Sequence, residues 1–119
     1  MKPPSTGQRR HILVVEDNPV ASQQFAAVLA GQGYDVVAAR DGQAALEFLA
    51  ANPPPDLILL DLGMPVLDGW QFLDLLPQPH APIVVATSTT PPEPEGCAGF
   101  LRKPIENEEL LAEVRRCLN

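Results

Sequence analysis

Along this chain, short and almost wholly apolar runs alternate with longer stretches whose apolar residues recur every three or four positions. The runs have the length of buried strands, and the longer stretches have the period of helices packed by one face. Residues 11–16 form the first run. Asn18 and Pro19 follow, a capping side chain and the proline favoured at a first helical position. Phe25, Val28 and Leu29 then supply a helical stripe that stops at the Gly-Gln-Gly of 31–33. Residues 34–39 predict a second strand. Asp41 opens a second helix with Ala44, Ala45, Phe48 and Leu49 on one face, ended by Asn52 and three prolines at 53–55. Residues 56–61 are apolar between two terminal acids, the pattern of a strand buried on both faces of a parallel sheet.

Proline interrupts the second half. Residues 69–76 have room for only a short helix before Pro77, Pro79 and Pro82, and 82–87 predict a fourth strand. Pro91, Pro92 and Pro94 disfavour a regular helix over 89–96, so the fourth helix is predicted to be a single turn or missing. Residues 99–102 read as a short fifth strand. A last helix begins near Asn107 and carries Leu110, Leu111, Val114 and Leu118 at helical spacing. Five strands separated by helices imply a doubly wound parallel sheet, because right-handed crossovers permit few other layouts.

Such sheets bind ligands beyond the carboxyl ends of their strands, at the switch point of strand order. Glu16 and Asp17 end the first strand, Asp61 the third and Thr87 the fourth, and Lys103 follows the fifth. Three carboxylates brought together repel one another, and burial worsens the repulsion. A hard divalent cation removes that difficulty, and small oxygen-rich sites that hold phosphate favour Mg2+. Asp61 can then act as a nucleophile toward a phosphoryl group, forming an acyl phosphate. The metal, the Lys103 ammonium and the Thr87 hydroxyl would be placed in advance of the growing charge.

Charge and composition narrow the function further. The formal net charge is −7, and the basic pairs at 9–10, 102–103 and 115–116 are scattered among acids, which argues against direct nucleic-acid binding. Apolar residues make up 45% of the 119 residues, enough for the core of one domain. No run approaches the roughly 20 residues that span a bilayer, and the polar start has no secretory core, so a cytoplasmic protein is expected. Cys97 and Cys117 lie far apart with no metal-ligand or redox spacing and are read as reduced, packed thiols. The domain is expected over 10–119, preceded by a flexible tail over 1–9.

The segments at 12–18 (ILVVEDN), 55–65 (PDLILLDLGMP), 68–69 (DG) and 100–104 (FLRKP) resemble the receiver domains of bacterial two-component systems. The resemblance covers about residues 10–118, and the Asp-x-x-Met-Pro-x-x-Asp-Gly block with a late Lys-Pro is highly specific. It implies a flavodoxin-like sheet of order 2-1-3-4-5. It also implies that Asp61 is the phosphoacceptor, served by a phosphohistidine on a sensor histidine kinase or a histidine phosphotransfer protein. Asp17 and Asp61 would ligate Mg2+ directly, Glu16 through water, and Gly63 by its backbone carbonyl. Lys103 would pair with one phosphoryl oxygen and Thr87 bond another. Phe100 matches the family's switch aromatic, which turns inward as the threonine moves. Pro104 matches a proline preceded by a cis peptide bond. A phosphoryl group brings up to about two negative charges to one point, and a hydroxyl drawn to it vacates space for an aromatic ring.

The chain departs from that pattern in its short or missing fourth helix, which puts the family's usual dimerising or effector face in doubt, and in a clipped third helix. Gly63 stands where the family often has a side chain that influences hydrolysis, so a short-lived phosphorylated form is expected. The leading reading is a signalling switch that catalyses its own phosphorylation and hydrolysis and binds a downstream protein. It is not an enzyme acting on a separate substrate. The chain ends after the last helix, leaving a stand-alone receiver or an excised domain, and its oligomeric state is open. A pseudo-receiver that binds partners without phosphorylation is the alternative. A haloacid-dehalogenase-like hydrolase would need a second Asp where Gly63 stands. A flavin carrier would need a neutral phosphate loop where Glu16, Asp17 and Asn18 stand.

Overall fold

A computed structural model describes residues 9–63, 68–88 and 96–118. The expected tail apart from Arg9, Met64 and Pro65 of the motif, and residues 89–95 of the stretch predicted to lack a full helix lie outside the described residues. The elements in chain order are β1 (His11–Val15), α1 (Pro19–Gly31), β2 (Asp35–Ala39), α2 (Gly42–Ala51), β3 (Leu57–Leu60), α3 (Gly69–Leu75), β4 (Ile83–Thr87), β5 (Gly99–Arg102) and α4 (Asn107–Leu118).

All strand pairs are parallel and the sheet order is β2-β1-β3-β4-β5, the flavodoxin-like arrangement expected. Alternation of side chains along the strands divides the interior in two. Leu13, Val15, Ile58, Leu60, Ile83 and Val85 face Ala45 of α2 and Phe72 of α3. Ile12, Val14, Leu57, Leu59, Val84 and Ala86 face Phe25 and Leu29 of α1 and Leu110 and Val114 of α4. Every residue of β3 and β4 is therefore buried, which explains why those strands read as unbroken apolar runs.

The helix ends follow local chemistry. Asn18 Oδ1 accepts from the backbone N–H groups of Val20 and Ala21, capping α1 behind Pro19. Gln32 caps its far end, and Gly33 takes the left-handed φ of 93° that turns the chain into β2. Asp41 and Asp68 cap α2 and α3, the latter in a reciprocal capping box with Gln71. Strand boundaries are tighter than the apolar runs suggest. β1 stops at Val15 and β3 covers only 57–60, so Glu16 and Asp61 stand one residue past their strands.

Candidate functional site

Register brings the carboxyl ends of the central strands together. Val15 lies opposite Ala39 and Leu60, and Leu60 opposite Val85. The next residues out, Glu16 and Asp61, are thereby neighbours at the point where chain connections diverge to the two sides of the sheet. The backbone holds both: the Glu16 N–H donates to Ala39 O at 3.1 Å and the Asp61 N–H to Val15 O at 3.0 Å.

Glu16 and Asp61 are buried, whereas Asp17 is exposed. One carboxylate oxygen from each of the three lies within 4.8 Å of the others, so Glu16, Asp17 and Asp61 form a set able to hold a metal ion. The donors are all oxygen, without imidazole or thiolate, which suits a hard cation such as Mg2+ rather than zinc. Asp61 Oδ1 accepts the Gly63 N–H at 3.0 Å, and Glu16 Oε2 accepts the Asn18 N–H at 3.1 Å.

Lys103 reaches this cluster from just beyond β5. Its peptide bond to Pro104 is cis, as the resemblance implied, and its N–H donates to Thr87 O at 2.9 Å. Nζ lies 2.6 Å from Glu16 Oε1 and 3.6 Å from Asp61 Oδ2. The ammonium is thus drawn more closely to Glu16 than to Asp61. Burial raises the Glu16 pKa, while the Lys103 ammonium and the Asn18 N–H oppose that rise.

The other predicted residues occupy defined places. Thr87 ends β4 with no exposed surface. Phe100, half-buried on β5 opposite Val85, packs against the core on the α2 and α3 side. Gly63 is exposed beside Asp61. The sequence marked Asp68-Gly69 only as part of a motif, and its task emerges from packing. A Cβ on Gly69 would come within 2.6 Å of Leu62 Cα and 2.8 Å of Asp61 O, and the Gly69 N–H donates to Leu62 O at 3.1 Å. The first turn of α3 therefore presses on the backbone that carries Asp61. An Asp-Gly pair at a helix start was the available signal. Cys97 and Cys117 are both part-buried and are not joined to each other by a disulfide.

Comparison with known proteins follows the same lines. Residues 12–115 match the family described as "Response regulator receiver domain". The alkaline phosphatase synthesis transcriptional regulatory protein SphR of Synechococcus elongatus is 32% identical, over 98% of this chain and 51% of its own length. The DNA-binding response regulator MtrA of Mycolicibacterium smegmatis is 34% identical, over 90% of this chain and 50% of its own. The chain thus spans about half the length of these curated relatives. Among solved structures, the chemotaxis response regulator CheY4 of Vibrio cholerae superposes with a TM-score of 0.83 at 31% identity, covering 93% of this chain and 100% of that one. A signal receiver domain of a histidine kinase from Syntrophus aciditrophicus gives 0.81 at 31% identity, covering 92% and 89%.

Proposed function

This chain belongs to the response regulator receiver domain family of two-component systems, and on that premise we propose that Asp61 accepts a phosphoryl group from a phosphohistidine. The donor would be a sensor histidine kinase or a histidine phosphotransfer protein. The observation that carries this reading is the meeting of the Glu16, Asp17 and Asp61 carboxylates with the Lys103 ammonium at the sheet's switch point.

A carboxylate oxygen of Asp61 attacks phosphorus, the phosphorus–nitrogen bond of the donor breaks, and the imidazole leaves with the electron pair and takes up a proton. Asp61 is held for this by its own N–H on Val15 and by the Gly63 N–H on Oδ1. Lys103 Nζ, within 3.6 Å of Oδ2, provides fixed positive charge for a phosphoryl oxygen. Thr87, at the end of the neighbouring strand, would bond a second oxygen through its hydroxyl. Mg2+, held by Asp17 and Asp61, by Glu16 through water and by the Gly63 carbonyl, would neutralise charge on the phosphoryl oxygens when bound. Phe100 would then repack as Thr87 is drawn toward the new charge, changing the surface offered to a downstream protein. The acidic chain favours a protein partner over nucleic acid. Among the described residues no helix is long and apolar enough to cross a membrane; a cytoplasmic site of action is part of the proposal, as the place where a kinase's phosphohistidine would be met.

Treatment with acetyl phosphate and Mg2+, followed by intact-mass measurement, tests the reading. A gain of one phosphoryl mass that disappears in Asp61→Ala is the expected result. No gain in the wild-type chain would overturn it in favour of a pseudo-receiver that binds partners without phosphorylation.

A further inference from the structure

Among the described residues β5 is the outermost strand, paired with β4 alone. The Lys103 N–H points to Thr87 O on β4. Alternation along an extended strand then turns the Phe100 N–H to the opposite edge, where the sheet offers no acceptor. A side chain of α4 fills that role: Glu113 Oε2 accepts the Phe100 N–H at 3.3 Å. Arg116, three residues on, grips the same carboxylate twice, Nη2 to Oε2 at 2.7 Å and Nε to Oε1 at 3.2 Å. Its Nη2 also donates to Ala98 O at 2.8 Å, and the Cys117 thiol donates to that carbonyl at 3.6 Å. Between these two anchor points sits Gly99, buried, where any Cβ would run into the Glu113 carboxylate. The missing side chain is what lets the carboxylate lie across the strand. A bidentate Arg–carboxylate pair fixes direction as well as distance, so the clamp has a defined shape.

We propose that Glu113 and Arg116 are positioning residues that lock the backbone of 98–100 and thereby couple α4 to the phosphorylation site. This rests on the reading of Asp61 as phosphoacceptor. The locked segment contains the amide of Phe100, and Lys103 follows only three residues later, about 10 Å along an extended strand. Leu101, between them, is buried in the α1 and α4 side of the core. A shift of 98–100 is therefore carried into Lys103, and a pull on Lys103 or Phe100 is carried back to the clamp. A loosened clamp therefore leaves Lys103 less firmly held beside Asp61. The Arg116 side chain is 59% exposed, so a partner carboxylate can reach it and compete with Glu113.

The test uses the full chain with acetyl phosphate and Mg2+, together with amide hydrogen exchange at Phe100, in wild type, Glu113→Ala, Glu113→Gln and Arg116→Ala. Glu113→Ala is expected to speed Phe100 exchange about tenfold or more, as loss of a charge-assisted hydrogen bond implies. It should also change the phosphorylation rate about fivefold or more, because the lysine beside the reacting carboxylate is displaced. Glu113→Gln keeps an acceptor oxygen and should restore most of both, and Arg116→Ala should resemble Glu113→Ala. If Glu113→Ala does not fold, Arg116→Ala carries the comparison. Faster Phe100 exchange with a wild-type phosphorylation rate would overturn the coupling and leave only a protected sheet edge. Unchanged exchange would overturn the clamp itself. Failure of the wild-type chain to take up a phosphoryl group would overturn the reading of Asp61, an outcome distinct from both.

Discussion

Asp61 Oδ1 accepts the Gly63 N–H, and position 63 has no side chain of its own. Among the described residues, a Cβ at Gly63 would meet Asp61 Oδ1 at 3.9 Å, an ordinary contact. A side chain begun there would stand beside the Asp61 carboxylate and could hinder attacking water. Gly63→Asn is expected to lengthen the phosphoryl lifetime several-fold, followed as a phosphate-release time course. An unchanged decay would mean that water arrives from another side. At this scale the sequence was informative about which residues converge. Glu16, Asp17, Asp61 and Lys103 do meet, because each terminates or follows a strand whose position the alternation of apolar runs determines. The pairing within the cluster was not legible. Lys103 lies nearer Glu16 than Asp61 because the Glu16 side chain, 2% exposed, has little water to solvate its charge. Burial of that kind is a property of packing.

Among the elements, α3 and α4 act on the site from opposite ends. The start of α3 touches the Asp61–Leu62 backbone so closely that only glycine fits at 69. Gly69→Ala forces a backbone shift, with an expected cost of about 1–3 kcal/mol and slowed phosphorylation. Urea unfolding and the acetyl phosphate assay would measure the two. α4 acts through Glu113, whose carboxyl is held below its ordinary value chiefly by the hydrogen bond from Arg116. A lowered carboxyl contributes stability that is complete above the unfolded-state value and is lost as pH falls through the folded-state value. Stability should therefore decline on acidification in that range, and Glu113→Gln should flatten the decline. Unfolding midpoints at about pH 6 and about pH 3.5 would show it, and parallel acid limbs in the two proteins would refute it. The helices themselves were readable from caps and stripes, α1 and α2 nearly to the residue. The clamp was not, since Glu113 and Phe100 are 13 positions apart and meet only because α4 packs over Gly99.

For the whole molecule, the sheet gathers carboxylates from two strand ends into one small volume, a cost that folding must bear and a cation relieves. A ligand that binds the folded state alone raises its stability by about 2.7 kcal/mol at a hundred times its dissociation constant. Mg2+ should accordingly raise the melting temperature by several degrees. Asp17→Asn should abolish most of that rise, and an equal rise in both proteins would show that the metal acts elsewhere. The strand order was legible because right-handed crossovers and wholly apolar central strands leave few alternatives. One further property comes with the same architecture. The sole tryptophan, Trp70, is 40% exposed and follows directly on Gly69, whose N–H is bonded to the residue after Asp61. Indole emission responds to nearby charge and hydration. The fold has thus placed an optical reporter beside the helix start that presses on the Asp61 backbone, and metal binding or phosphorylation there is expected to change its emission without any attached label.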